Sequence, residues 1–352
     1  MRGSSDSTAL FLCSRHASSS HRKRVVSDSS RPSPLQICLP GKGRGAMRSF
    51  ILSRILQAIP TLLAIATITF FMTRFAPGGP FDSEKAIPEE IKVQLESHFG
   101  LDLPLFHQYL LYMKNLLRGD LGPSFKYLGW QVSELIGISF PVSMTLGTCA
   151  LVIALIIGLP AGIIAALRKN TIWDYLPMSL AMIGICLPTF VLGPLLILVF
   201  SSTLNLLPPL GWYSWSDLVL PSCTLGLFYA AYVARLTRAG MLETLKHDYI
   251  RTARAKGASP ARVVYKHALR AGLLPVVTFL GPAFAGLVSG SFIIESIFFI
   301  PGLGKFFVTA AFNRDYTMVL GTVLFYATLI VSLNLLIDFL QAWLDPKARE
   351  QK

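Results

Sequence analysis

Glu295 and Asp338 are carboxylic acids at the ends of long apolar runs, and Glu295 closes the stretch "SGSFIIE" that contains Ser289 and Ser291. An acid at membrane depth is costly to bury, so it marks a functional candidate. Glu295, with Ser289 and Ser291 beside it, is a candidate for lining a translocation pathway through the apolar layer or, as for any acid near an interface, for pairing with a neighbouring basic group, while Asp338 is expected to pack near the cytoplasmic end of its span. A second group is the basic segment "YIRTARAKG", with Tyr249, Ile250, Arg251, Thr252, Ala253, Arg254, Lys256 and Gly257 set between two apolar stretches. Its cations suit acidic or carbonyl groups of a soluble partner, or anionic lipid. Catalytic chemistry finds no support. Ser, Thr and Cys residues in the apolar runs have no base nearby in sequence, and none of the six His lies centrally in such a run. The cysteines at 13, 38, 149, 186 and 223 lack C-x-x-C spacing and are expected to be packing residues, with no metal and no directly bound cofactor.

These residues need a membrane scaffold to position them. The chain has 352 residues, of which 53% are hydrophobic and 14% charged, and a mean hydropathy of +0.55, which is too apolar for an ordinary soluble domain. The net charge of +13 would suit nucleic acid on a soluble fold, but here the basic residues separate apolar runs, so no nucleic-acid partner is expected. A bilayer core needs roughly 20 apolar helical residues. Six runs qualify, near Ile51 to Met72, Pro141 to Leu167, Tyr175 to Phe200, Leu218 to Ala234, Gly272 to Ile294 and Tyr316 to Leu340. The expectation is an all-α membrane protein with six transmembrane helices and both termini on one side. Loops at 168–175, 235–271 and 345–352 together hold 14 Lys and Arg, against 7 in the longer loops on the other side. The positive-inside rule places the termini and the basic segment in the cytoplasm.

Residues 1–46 are rich in Ser, Arg and Pro without apolar periodicity, which predicts either a disordered tail or a leader preceding a start at Met47. The domain proper is then 47–352. Its outer loop, 75–140, is expected to form a helical cap, with Pro88 opening a helix that ends near Gly100 and Pro104 a second ending near Gly119. In the cytoplasmic segment, 240–271, Leu242, Leu245, Tyr249, Ile250 and Ala253 fall on one helical stripe. Gly257 then suits a C-terminal cap, and Ser259 and Pro260 suit the N-cap and first position of another helix. Spacing alone leaves two readings open, a helix lying on anionic membrane lipid and a helix–elbow–helix that takes up motion from a soluble partner.

The basic segment resembles the coupling motif of importer-type ABC transporter permeases, Glu-Ala-Ala followed by three residues and Gly. Arg251 and Thr252 replace its Glu and first Ala, whereas Ala253 and Gly257 match, a variant typical of the peptide-import branch. The stretches "RFAPGGPF", "GDLGPSFKY", "SFPVS", "NTIWDY", "SFIIESIFFIPGLGKFFV", "NRDY" and "DPKARE" extend the resemblance across 47–352, most strongly toward oligopeptide permeases. The resemblance implies a type I ABC importer permease fold in the bacterial inner membrane. It implies a second permease subunit, two ATPase subunits that hold ATP-Mg, an extracytoplasmic peptide-binding protein, and coupling through residues 249–257. Independently, the chain has no G-x-x-x-x-G-K-[ST] phosphate loop, and "GLGK" at 302–305 lacks its first Gly and its Ser or Thr. The expectation is therefore a non-enzymatic importer subunit for oligopeptides. Dipeptide, nickel or glutathione import, and ion-coupled secondary transport, are the rival readings.

Overall fold

The computed structural model describes residues 43–76, 78–79, 93–94, 97, 100–127 and 129–344. The expectations for residues 1–42 and for "DPKARE", and nearly all of the helix expected from Pro88 to Gly100, lie outside the described residues. Those described are helical, apart from loops and one isolated bridge between Pro123 and Gln131. Helix α1 spans Gly43–Phe75 and so begins ahead of the expected boundary at Met47. Helix α2 is Leu105–Leu117, α3 is Val132–Leu167, and α4 is Ile172–Cys186. Thr189–Leu196 forms α5, which the π-turn Ile197–Thr203 extends, and α6 is Val219–Thr244. Asp248–Ala255 is α7, and Pro260–Arg262, the π-helical Val263–Ala268 and Leu269–Gly272 together make α8. The remainder are α9, Leu274–Val288, α10, Phe292–Ile297, α11, Leu303–Phe312, and α12, Tyr316–Leu344.

Five of these segments are long and apolar enough to cross a membrane, and a sixth span exists if α4 and α5 count as one. That sixth is not the straight helix its composition suggests. The chain bends by 106° between Ile172–Cys186 and Thr189–Thr203. The cause is local. Pro188 has no N–H to continue the helix and disfavours helical geometry at Leu187, whose ψ is 117°. Elsewhere the helices outrun the apolar runs: α3 starts at Val132 rather than Pro141, and Glu134 accepts the Gln131 N–H at 3.0 Å where it begins.

Helices α3 and α6 form the most extensive pairing of the bundle. Small residues make it possible. A Cβ at Gly158 would sit 2.7 Å from the Ala230 carbonyl oxygen, and one at Gly162 would sit 2.5 Å from that of Ala234. Close backbone approach of this kind replaces the hydrophobic drive that helices lack inside lipid. One end of the bundle collects the Arg54–Asp338 ion pair between α1 and α12 (3.2 Å), the C-terminal ends of α3 and α6, and α7 with α8. The other end collects α2, α10, α11 and the start of α12. There Asp315, buried, accepts hydrogen bonds from the hydroxyl of Ser124, from Thr317 Oγ1 (3.0 Å) and from the N–H groups of Phe125 (3.2 Å) and Met318 (3.1 Å).

Candidate coupling and translocation site

The stripe running from Leu242 does not belong to one helix. Leu242 lies on α6, which ends at Thr244, and extended His247 then opens α7 at Asp248. Its members other than Tyr249 stay together across the break because both pieces pack on the same core. Met241, Ile250, Val263, Val264, Ala268 and Ala166 are buried together, with Leu242, Leu245 and Ala253 against them.

At its far end α7 closes in a Schellman cap. Gly257 donates to Arg254 O (3.0 Å) and Ala258 to Ala253 O (3.2 Å), while Gly257 takes φ +78°, a conformation that only glycine adopts readily. Ala253 and Ala258, the residue pair whose apolar contact accompanies such caps, both pack on the shared core. Ser259 then caps α8 by accepting the Arg262 N–H, and Pro260 occupies its first turn. A short helix is thereby turned back through an elbow and pinned beneath α3 and α6.

Tyr249 and Ile250 part company here. Ile250 is 0% exposed and belongs to the chain's own core. Tyr249 is 45% exposed and stacks on His247 (5.6 Å between ring centres). Partial burial raises its phenol above the usual tyrosine range. Arg251, Arg254 and Lys256 are exposed, and Arg251 lies 3.7 Å from Asp248 in a solvent-facing pair. Thr252 turns its hydroxyl back to the Asp248 carbonyl (3.0 Å). The unit has a basic, aromatic outer face and an aliphatic inner one.

The pathway candidates separate as well. Glu295 is 0% exposed. Ser143 Oγ donates to its Oε1 at 2.8 Å and the Lys305 N–H to its Oε2 at 2.8 Å. Ser143 in turn accepts the Leu303 N–H at 2.9 Å, and a Cβ on Gly302 would collide with the carboxyl group. The carboxylate therefore ties α3 to the N-terminus of α11 from an enclosed site, where N–H groups of a first helical turn favour negative charge. Both of its oxygens are engaged within that site. Ser291 caps α10, accepting the Ile294 N–H (3.5 Å), and Ser289 donates to Gly286 O (3.0 Å) at the end of α9. Both hydroxyls complete helix termini.

One ion pair with a buried carboxylate was not singled out from sequence. Arg238 on α6 reaches Asp174 in the first turn of α4. The signal was faint, because "WDY" reads as an interfacial loop until a helix begins at Ile172. The described residues contain no group of His, Cys, Asp and Glu arranged to hold a metal.

A bundle of apolar helices, cross-tied at one end through Glu295 and packed at the other on a basic elbow, is the architecture of a multi-span membrane protein. The chain belongs to the family of binding-protein-dependent transport system inner membrane components, whose model matches residues 158–350, with the N-terminal model of the same systems matching 47–148. It is 47% identical over 305 residues to the oligopeptide transport system permease protein OppB of Haemophilus influenzae, covering 86% of this chain and 100% of the relative. The OppB of Salmonella typhimurium is 48% identical over the same length and shares. The dipeptide transport system permease protein DppB of Bacillus subtilis is 44% identical over 306 residues, 87% of this chain and 99% of the relative. Among solved structures, the MetNI methionine ABC transporter in inward-facing conformations aligns with a TM-score of 0.52 at 18% identity, covering 60% of this chain and 96% of that one. That likeness supports the type I importer permease fold alone.

Proposed function

We propose that the chain is a translocating subunit of an importer for oligopeptides, driven by ATPase subunits that dock on α7. The observation that carries this is the division within α7. Its exposed Tyr249, Arg251, Arg254 and Lys256 offer a helix face to a partner, while Ile250 sits wholly inside the core shared with α3, α6 and α8. Force applied to the outer face reaches the membrane helices through Ile250 instead of being lost in a flexible loop. The oligopeptide substrate is inferred from the OppB relatives. Dipeptide import, the work of DppB by its name, stays as the second reading because that relative is nearly as similar.

In this proposal ATP-Mg binds on the partners, a second permease subunit completes the pathway, and an extracytoplasmic binding protein delivers the peptide. Residues 249–257 and both termini lie on the cytoplasmic side, as the Lys and Arg distribution supports. ATP-driven closure of the ATPase pair displaces the elbows and reopens the pathway to the opposite side. The test is to purify the tagged chain from its own membrane in mild detergent and identify what accompanies it. Recovery of a second permease and ATPases, lost on replacing Tyr249 and Arg251 with Ala, is the expected result. A chain recovered alone and transporting under an ion gradient would overturn the proposal.

A further inference from the structure

Where α1, α2, the 120–125 loop and α12 meet, at the end remote from α7, lies a cavity of about 210 Å³. Three of its lining residues each carry a hydrogen-bonding atom that is buried and unpartnered: Arg74 Nε, Gln108 Oε1 and Tyr112 OH. Orphan polar atoms of this kind are costly and call for an explanation.

Each is held in place by something else. Gln108, 9% exposed, donates its amide to Leu101 O (3.0 Å) and Leu103 O (2.8 Å), so Oε1 is left as a fixed acceptor. Arg74 is held against Phe70 (5.4 Å) and Tyr316 (5.3 Å) and makes no ion pair among the described residues. Tyr112 stacks on Phe70 (5.5 Å), and burial, followed by the neighbouring Tyr109, pushes its hydroxyl up to about 12, so it stays a donor at physiological pH. Asp120, with Oδ1 taking the Gly122 N–H at 2.8 Å, adds a further acceptor, and Leu111, Leu121 and Leu320 supply apolar wall.

A ligand matching this set must present an anionic group to Arg74 and Tyr112 and, beside it, an N–H for Gln108. An inorganic anion without a proton, such as sulfate, leaves Gln108 unmatched, and a simple cation meets Arg74. The last residue of a peptide carries a carboxylate and an amide N–H side by side. We propose that this cavity binds the C-terminal residue of a peptide, its carboxylate on Arg74 and Tyr112, its amide on Gln108 and its side chain against the leucines. The choice of a peptide among carboxylate ligands rests on the import function proposed above.

The test uses the full chain with its co-purifying subunits, titrated with trialanine and with trialanine amide, alongside uptake of the same acid. Trialanine should bind at least about tenfold more tightly than its amide, since a hydrogen bond to a charged group outweighs a neutral one. Arg74→Gln should abolish that preference. Tyr112→Phe, which removes one oxygen and keeps the ring stack, should weaken the acid several-fold without affecting the amide. Equal affinities for acid and amide, or unchanged binding by both variants, would overturn the site even if uptake persists. Acid-selective binding without uptake of any peptide would instead overturn the import function and leave the cavity as a carboxylate site.

Discussion

Arg238 grips both oxygens of Asp174, with Nε 2.5 Å from Oδ1 and Nη2 2.8 Å from Oδ2, while Asn170 N–H donates to Oδ2 at 3.0 Å. Asp174 is 2% exposed, so the fork is an internal tie between the start of α4 and α6. A planar guanidinium is suited to such two-point contact. Removing Arg238 strands the buried Asp174 carboxylate, a loss on the order of 3 kcal/mol, whereas Arg238 is partly exposed and is hydrated when Asp174 is removed. Arg238→Met should therefore lower thermal stability in detergent markedly, and Asp174→Ala combined with it should cost less than the sum of the single changes. Strict additivity in that cycle would show that the two residues act separately.

The elbow depends on Gly257. Nothing lies within 4 Å of a Cβ added there, so substitutions act through φ +78° rather than through contacts. A β-branched residue is a backbone outlier in that region, whereas Asn tolerates it. Gly257→Val should abolish transport while leaving membrane insertion and expression intact, and Gly257→Asn should retain much of the activity. Transport by Gly257→Val at the normal rate would remove the elbow from the mechanism.

Tyr249 and Ile250 should give opposite phenotypes. Truncating a fully buried aliphatic residue costs roughly 2–5 kcal/mol, so Ile250→Ala should loosen the cytoplasmic core and lower the melting temperature. Tyr249→Ala should leave melting near normal and weaken recovery of the ATPases. The pair is separated by measuring both properties on both variants, and identical losses would contradict the two-faced helix.

Glu295 should prove structural in a specific way. Its Oε2 accepts the Lys305 N–H at 2.8 Å, so Glu295→Gln can keep the acceptor toward Ser143 only by turning an NH₂ toward another donor. Leaving such a buried group unmatched costs about 1–3 kcal/mol. Glu295→Gln should destabilise the protein, with Ser143→Ala adding less in the Gln background than in the wild type. If Glu295→Gln were fully stable but lost transport, the carboxylate would belong to the pathway after all.

Membrane sidedness is open to direct labelling. Trp215 and Lys256 are both exposed, at opposite ends of the stretch containing α6. In a chain whose native cysteines have been replaced, a cysteine at 215 should react with an impermeant maleimide in intact cells. A cysteine at 256 should react only after the membrane is opened, and the reverse pattern would invert the topology.

The sequence alone determined the features whose causes are local. Five apolar stretches of bilayer length are helices capable of crossing a membrane, because apolar length is a property of the segment itself. The cap at Gly257 and the N-cap at Ser259 were legible because the left-handed turn and the first helical turn are set by adjacent residues. The bend at Pro188 was written just as locally but is masked by the apolar run around it. Pairings across the chain were decided only by tertiary structure. Asp174 and Arg238 are 64 positions apart and Ser143 and Glu295 are 152 apart, and no periodicity encodes a partner at such distances. The burial of Ile250 and Glu295 has the same origin: a stripe or a lone acid says which way a side chain can face, but only the packing of α3, α6, α8 and α11 decides whether another helix already occupies that side. The cavity at Arg74, Gln108 and Tyr112 likewise exists only once α1 and α2 are brought side by side.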